Sequence, residues 1–590
     1  MTVSAETKRS GATESAKTVT ITVNGRSVEA RQGEMLLTAL KRAGIRVPTL
    51  CHLENLFPSG ACRMCVVEVD GFANLVPSCA CPVTEGMSVK THSPRALRAR
   101  KTILELVLAN HPDDCLYCVR NDNCELRALA AELGVRQRRY VGERRQQKED
   151  LSSPALVRDP EKCILCGKCV RVCEEVQGVG AINFVGRGSA TRIAVAFDEG
   201  INLSSCIYCG QCIMVCPTGA LREQSHIKEV MDALKNPEKF VVVQHAPSVS
   251  VTIGEEFGLK PGADVEGLLV AALRELGFDR VFDTAFAADL TVMEEASELV
   301  HRIKTGGKLP MMTSCSPGWI KYVEEFYPDF IENLSTCKSP QQMLGAIIKN
   351  YFAEKQNIAP EKIFSVAVMP CTAKKFECGR MEMLHEGIPD VDAVLTTREL
   401  VRVLRMRGMD FKSLTPQVAD TPFGDRSTAG KLFGATGGVM EAAVRTAHYL
   451  LTGTDLPDLK VEAVRGMTGV KQARLHIEGK DIGIAVVSGL GNASRLLDEI
   501  RAGRNDLHFI EVMTCPGGCI AGGGQPHSTN LNAVKERMQA LYRIDREGTI
   551  RTAHGNPAIK RIYQEFLGEP LSEKSHHLLH THYHKRDVLV

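Results

Sequence analysis

Cys163-Ile-Leu-Cys166-Gly-Lys-Cys169-Val-Arg-Val-Cys173 and Cys206-Ile-Tyr-Cys209-Gly-Gln-Cys212-Ile-Met-Val-Cys216-Pro217 repeat one spacing, C-x2-C-x2-C-x3-C. Thiols so spaced can converge on a shared centre. The 22 cysteines of the 590 residues gather in such runs and then vanish for long stretches. Disulfide scaffolds of that density are short and secreted, and this chain is neither. Thiolate–metal ligation in a reducing, cytoplasmic-type setting is the better reading. The 72 Lys and Arg against 70 Asp and Glu leave +2, so no single-signed field marks the chain for nucleic acid or an anionic membrane. A hydrophobic content of 44% with 24% charged residues excludes wholesale disorder. The length fits about four domains. No apolar run approaches the roughly 18 residues of a membrane helix. Residues 1–18 are polar and lack an apolar centre, so they read as a disordered tail and not as a signal peptide.

Zinc also takes C-x-x-C pairs, but the doubled run resembles the bacterial two-cluster ferredoxin, in which the fourth cysteine of each run crosses to the other cluster. That resemblance implies one 4Fe–4S cluster on Cys163, Cys166, Cys169 and Cys216. It implies a second on Cys206, Cys209, Cys212 and Cys173, the two filling residues 151–228. Upstream, residues 19–30 alternate about Asn24-Gly25, a two-residue hairpin signal. Residues 35–43 have helical spacing and stop at Gly44. Cys51, Cys62, Cys65 and Cys79 follow, with a strand at Val66–Val69. Hairpin, helix and four cysteines over residues 19–96 resemble the 2Fe–2S β-grasp ferredoxin that opens complex I large subunits. Zinc is the less favoured occupant, and Cys81 competes with Cys79 for the fourth place. His111-x3-Cys115-x2-Cys118-x5-Cys124 follows the amphipathic residues 97–108. It resembles the His-ligated 4Fe–4S module of the same large subunits and of some hydrogenases. An imidazole in place of a thiolate makes a cluster less negative and raises its potential. That module and a charged linker at residues 142–150 occupy residues 97–150.

From residue 229 the cysteines thin out. Strand-like runs at residues 240–243, Ile363–Met369, residues 482–487 and Phe509–Met513 alternate with longer helical stretches. Continuous apolar strands between helices predict parallel sheets covered on both faces. Such sheets carry their chemistry in loops at the strand carboxyl ends. Gly489-Leu-Gly491 lacks the third glycine and acidic partner of a dinucleotide site and reads as a turn. The expected fold is multidomain: α+β iron–sulfur modules, then an α/β domain over residues 229–590.

Three phrases hold the remaining chemistry: Thr313-Ser-Cys-Ser-Pro-Gly-Trp319, Met369-Pro-Cys-Thr-Ala-Lys-Lys-Phe-Glu377, and Glu511-Val-Met-Thr-Cys-Pro-Gly-Gly-Cys-Ile-Ala-Gly-Gly-Gly-Gln-Pro526. They supply Cys315, Cys371, Cys515 and Cys519, thiolates able to meet at one buried cluster. The triple glycine lets backbone approach a bulky group, and Met369 and Met513 offer soft walls. These phrases resemble the signatures of iron-only (FeFe) hydrogenases, and the resemblance covers almost everything after residue 18. It implies an H-cluster, a 4Fe–4S cubane joined through a cysteine sulfur to a diiron centre with CO, cyanide and azadithiolate ligands. It implies Cys519 as the bridge, Cys371 and Cys515 on the cubane, and Lys374 hydrogen-bonded to a cyanide. Ala246, Pro247 and Ser248 fall beside the other cyanide, with Gln341, Pro370 and Phe433 at the pocket. The implied reaction is reversible formation or splitting of H2, its electrons relayed through one 2Fe–2S and three 4Fe–4S clusters.

Protons need a chain of titratable groups within hydrogen-bond reach. The family's relay maps outward onto Cys315, Glu298, Ser335 and Glu295. The competing reading of the two glutamates is a solvated helix face over residues 293–303. Ser316 departs from the family's Thr-Ser-Cys-Cys-Pro, in which the first cysteine donates protons and the second ligates the cubane. In plain register Cys315 keeps the donor slot and Ser316 falls in the ligand slot. In a shifted loop Cys315 ligates and Ser316 relays, which thiolate preference favours. Cys337 and Cys378 are left as reduced, buried thiols. The complex I-like front half and the ending Leu571-Ser-Glu-Lys-Ser-His-His-Leu-Leu-His-Thr-His-Tyr583 imply an NAD(P)-linked, electron-bifurcating complex. Its other partners would be ferredoxin and separate flavin- and nicotinamide-binding subunits. The His-rich ending reads as a solvated or interface tail and not as a metal site. An electron-relay protein of complex I type would not need the second and third phrases. A hydrogen sensor on the same fold would usually add a sensory module, and an iron–sulfur assembly factor would lack the first two N-terminal modules.

Overall fold

The computed structural model describes residues 17–141, 144, 146–477, 479–527 and 530–587. The expected tail lies outside these residues except for Lys17 and Thr18, and Thr18 already opens a strand. Residues 142, 143 and 145 of the expected linker lie outside them too. The chain divides into two compact units, one of residues 1–148, 159–168 and 217–220, the other of residues 149–158, 169–216 and 221–590. The division runs through the doubled cysteine run: Cys163 and Cys166 belong to the first unit, and Cys169, Cys173, Cys206, Cys209, Cys212 and Cys216 to the second.

In the first unit, β1 (Thr18–Val23), β2 (Arg26–Arg31), β3 (Val66–Val69), β4 (Val76–Pro77) and β5 (Ser88–Lys90) form one sheet in the order β2-β1-β5-β3-β4. Asn24 and Gly25 have φ of 49° and 81°, the left-handed pair that a two-residue hairpin turn of matching twist requires. Alternation sends Val19, Ile21 and Val23 into the core and the threonines between them to solvent. Helix Leu36–Arg42 covers this face with Leu36, Leu37 and Leu40. Helix Pro94–Ala109 is opened by Ser93, whose side chain accepts from Ala96 N, with Pro94 at the first turn. It buries Arg100, whose guanidinium donates to Val66 O at 2.7 Å and Thr91 O at 2.8 Å and so ties the helix to the sheet.

The second unit begins with β6 (Leu156–Arg158), paired antiparallel with β7 (Leu221–Glu223). Two larger sheets follow. β8 (Phe240–His245), β9 (Arg280–Asp283), β11 (Ile363–Met369) and β12 (Ala393–Thr396) make a four-stranded sheet, order β9-β8-β11-β12, parallel throughout. β10 (Met311–Met312), β13 (Val470–Ile477), β14 (Lys480–Ser488) and β15 (Phe509–Met513) make the other, order β10-β15-β14-β13. It is parallel except for β13, an antiparallel edge strand whose alternating exposure differs from the continuous burial of β15. The expectation of parallel sheets thus holds for one sheet and most of the other. Val241, Val242 and Val243 are at most 2% exposed, and side chains of that kind contribute about 1.5–3 kcal/mol each on burial.

Helix Thr284–Thr305 runs through this unit, opened by Asp283, which accepts from Ala285 N at 2.8 Å. It extends well beyond the expected residues 293–303, and Glu294, Glu295 and Glu298 are all buried. The solvated-face reading of the two relay glutamates is therefore wrong. The chain's end is also corrected. Helix Glu573–Leu579 buries Leu578 and Leu579, and His580 and Tyr583 are buried after it, so the segment is anchored in the core through these residues while His576, His577 and His582 remain exposed. Gly489, with φ of 82°, is the turn between β14 and helix Leu490–Arg501. No helix among the described residues is long and apolar enough to cross a membrane.

Candidate active site

Four strands of the two large sheets end at one cavity. β8 runs into Ala246-Pro247-Ser248, β10 into Thr313-Ser314-Cys315-Ser316, β11 into Pro370-Cys371 and β15 into Thr514-Cys515. Their ends, with Gln341, Lys374, Phe433 and Cys519, line a cavity of about 90 Å³. All the residues expected to contact the H-cluster, Met369 and Met513 included, are on this wall, from strand ends as far apart in sequence as residues 246 and 513. Glu295, Glu298 and Ser335 stand behind it. Cys371, Cys515 and Cys519 face the cavity from within the protein. Burial raises all three thiols, reinforced by neighbouring thiolate charge at Cys515 and Cys519, with Cys519 pushed up to about 12. Three thiolates so close are stable together only on a cation, and a cluster's iron fits this donor set.

The loop after β10 is held in plain register. Trp319 Nε1 donates to Thr313 O at 3.1 Å, Val512 N donates to Thr313 Oγ1 at 3.1 Å, and Ser314 Oγ donates to Cys337 O at 2.6 Å. Cys315 packs beside Phe433 and Met513, and burial followed by the Glu295 charge holds its thiol well above the usual range. Ser316 Oγ instead meets Thr514 Oγ1 at 2.8 Å, next to Cys515. The loop shift favoured by thiolate preference has no counterpart here, because Cys315, not Ser316, faces Glu295.

Lys374 Nζ donates to Cys315 O at 3.2 Å and to Glu377 Oε2 at 2.8 Å. The same oxygen accepts from Ser339 Oγ at 2.9 Å and Gln341 Nε2 at 3.2 Å. One buried carboxylate therefore fixes two cavity side chains. Motif reading alone gives Glu377 no role, although its three-residue spacing from Lys374 on helix Ala373–Cys378 is the available signal.

The expected relay order is reversed. Glu295 lies at the inner end beside Ser314 and Ser335, and burial, then the Glu298 charge, pushes its carboxyl up to about 8. Ser335 Oγ donates to Glu298 Oε2 at 2.8 Å, and Arg302 Nη2 donates to Glu298 Oε1 at 2.5 Å. The order outward is Cys315, Glu295, Ser335, Glu298. The reason is helical: Glu298 lies a turn nearer the carboxyl end, where it meets Arg302 at i+4. His580 adds a neighbouring network, its Nδ1 at 2.8 Å from Thr336 Oγ1 and its Nε2 at 3.1 Å from Glu294 Oε2.

The other cysteines fall into groups. In the first unit Cys51 hydrogen-bonds with Cys62, and Cys65 with Cys79; within each pair the bond lowers the first thiol, Cys51 to about 5 and Cys65 to about 7, and raises the second. Cys81 turns to its own neighbour, Pro82 O, at 3.8 Å. His111 is buried with Nδ1 lacking a hydrogen-bond partner among the described residues, an orphan that a metal would satisfy. Cys115, Cys118 and Cys124 follow it on the turn and helix start after residue 114. In the second unit burial raises the thiols of Cys206, Cys209 and Cys212, and the charge of Cys173 adds to it at all three.

Models of known families match almost the whole chain in order. The 2Fe-2S iron-sulfur cluster binding domain matches residues 16–94, the NADH-ubiquinone oxidoreductase-G iron-sulfur binding region 100–139, and the 4Fe-4S dicluster domain 162–220. The C-terminal domain of the iron-only hydrogenase large subunit matches residues 239–523, and the iron hydrogenase small subunit matches residues 531–586. The chain is 48% identical over 585 residues to the NADP-reducing hydrogenase subunit HndD of Solidesulfovibrio fructosivorans, covering 97% of this chain and 100% of that one. It is 39% identical over 573 residues to iron hydrogenase 1 of Clostridium pasteurianum, covering 96% and 100%. A variant of the FeFe-hydrogenase HydA1 from Chlamydomonas reinhardtii superposes with a TM-score of 0.57 at 43% identity, covering 62% of this chain and 100% of that one. The identities over nearly the full length of two hydrogenases, front modules included, show that the chain belongs to the iron-only hydrogenases.

Proposed function

We propose that the cavity holds the H-cluster of the hydrogenase reaction, with Cys371, Cys515 and Cys519 as thiolate ligands, Cys519 as the bridge and Ser316 at the fourth cubane position. The observation that carries this reading is the convergence of four strand ends on one cavity lined by those thiols and the buried Lys374. When bound, the group supplies the iron chemistry of H2 formation and splitting. The chain supplies everything around it. Lys374, held by Glu377 at the cavity wall, would donate a charge-assisted hydrogen bond to the bound group in a low-dielectric site. Ser248, which accepts from Gln525 Nε2 at 3.3 Å and also lines the cavity, would offer a second polar contact to the group. Met369, Phe433 and Met513 keep water out. Cys315 holds the inner proton position, and Glu295, Ser335 and Glu298 carry protons between it and the Arg302 side of the helix.

Cys51, Cys62, Cys65 and Cys79 would hold a 2Fe–2S cluster, His111 with Cys115, Cys118 and Cys124 a 4Fe–4S cluster, and the doubled cysteine run the two ferredoxin-type clusters, groups that would supply electron transfer to the site. The front modules and the likeness to part of an NADP-reducing hydrogenase support a catalytic role within a larger complex. In that complex, partner subunits bind flavin and NAD(P), and ferredoxin is the other electron carrier. The test is infrared spectroscopy of the matured protein with H2 evolution assayed alongside. Bands of bound CO and cyanide with turnover are expected; a matured, iron-replete chain without those bands would sink the reading.

A further inference from the structure

A buried side chain connects two of the cysteine groups in the second unit. Gln211 stands inside the Cys209-Gly-Gln-Cys212 run and is 9% exposed. Its Nε2 donates to Cys515 Sγ at 3.1 Å and to Ala521 O at 3.0 Å. A residue flanked by thiols of the ferredoxin-type group thus reaches a thiol of the active-site cavity. The backbone on both sides is pinned. Thr372 Oγ1, next to Cys371, donates to Tyr208 O at 2.7 Å. A β-carbon at Gly523 would drive into Cys209 O and the Gly210 backbone, so the two loops touch main chain to main chain. Arg398, paired with Glu223 at 2.7 Å, donates to Gly523 O at 2.8 Å and holds the glycine loop from behind. The Gln211 contact is therefore built into the fold.

We infer that Gln211 is a redox-tuning positioning residue. Its N–H···S bond to Cys515 draws negative charge from a ligating sulfur and so raises the reduction potential of the cubane relative to the neighbouring cluster. Cluster potentials respond to hydrogen bonds on their sulfurs, and one amide nitrogen can donate to both the sulfur and Ala521 O. The neighbouring ferredoxin-type loop thereby sets the electron-accepting level of the site it feeds. The inference rests on the reading that Cys515 ligates the cubane.

The test is a redox titration of the full-length holoenzyme, followed by spin resonance of the cubane and by the infrared bands, for the native chain, Gln211→Leu and Gln211→Glu. Losing a hydrogen bond of about 1 kcal/mol shifts a one-electron equilibrium about fivefold, or ~40 mV at 59 mV per tenfold. Gln211→Leu is expected to lower the cubane potential by that amount, and Gln211→Glu by more, since it sets a negative oxygen against the sulfur. Iron content and the potentials of the other clusters are expected to stay put. An unshifted cubane potential in the iron-replete variants overturns the inference. Should Gln211→Leu lose the adjacent cluster, the isosteric Gln211→Glu carries the test. A Cys515→Ala chain that keeps a native cubane signal would instead overturn the ligand reading, an outcome distinct from an unshifted potential.

Discussion

Glu295 shows how one residue's surroundings set the range over which it titrates. A carboxyl ordinarily loses its proton near pH 4.5; burial and Glu298 push this one up to about 8. At neutral pH it therefore carries a proton and can donate inward toward Cys315, and above about 8 it becomes a carboxylate that cannot. H2 evolution is expected to fall as pH rises through about 8. Glu295→Gln stays neutral but passes no proton, so it should lower the rate on the order of 10²-fold and remove that alkaline limb, while the CO and cyanide bands persist. A variant with the native rate and the native limb would take Glu295 out of the relay. Ser316 is the second residue of consequence. Its hydroxyl is paired with Thr514 Oγ1 and, in the function proposed above, takes the place of the fourth cubane thiolate. Oxygen is a harder donor and its proton is harder to remove, so iron should be held less firmly there. Ser316→Cys is expected to slow iron release to a chelator, change the oxidised cluster's spin-resonance spectrum and raise turnover. Unchanged spectrum and release would show that this side chain does not touch the cluster.

The elements were legible where local pattern alone decides them. The Asn24-Gly25 hairpin, the strand Val66–Val69 and the buried strands Ile363–Met369 and Phe509–Met513 follow from alternation or from unbroken apolar runs. So did the cavity wall, because strand-end loops of parallel sheets are where such motifs must fall. What the sequence hid depends on tertiary placement. The polar stripe of helix Thr284–Thr305 looks solvated until the helix is seen buried with Glu294, Glu295 and Glu298 inside. The order of the two glutamates depends on which of them turns toward the cavity; the i+4 pair of Glu298 with Arg302 was readable, but not which end of the helix lies nearest Cys315. The histidines near the end look like a loose polar tail. Helix Glu573–Leu579 docks because Leu578 and Leu579 join the cluster that holds Phe282, Phe286 and Leu344, and it takes His580 inside while His576, His577 and His582 stay exposed. Glu377 and Gln211 were visible as letters inside motifs, yet their roles lie in contacts made across 36 and 304 positions of sequence.

At the scale of the whole molecule, the chain carries in one polypeptide what two family models describe separately, a large-subunit domain over residues 239–523 and a small-subunit segment over residues 531–586. The second segment is bound to the first by contacts that need no peptide link. Arg537 makes a two-bonded pair with Glu255 at 2.6 and 2.7 Å and donates to Ile520 O at 2.7 Å, behind the glycine loop. Asp545 is buried against Arg445 at 2.8 Å, Asn556 donates to Asp289 Oδ2 at 2.9 Å, and Arg586 reaches Glu324 at 2.8 Å. Val534, Met538 and Leu541 share one apolar cluster with Val251, Ala435 and Ile520. Removing one partner of such a buried charged pair costs about 3–5 kcal/mol, so the segment cannot be discarded without unfolding what it covers. A cut at residues 528–529, by contrast, breaks no described contact of this set. Residues 1–527 and 530–590 co-expressed as separate chains are expected to co-purify with H2 evolution and the infrared bands near those of the intact protein. The first chain alone is expected to be destabilised and inactive. Full activity from residues 1–527 alone would show that the small-subunit segment is ornamental to this hydrogenase and that its charged pairs do not hold the site.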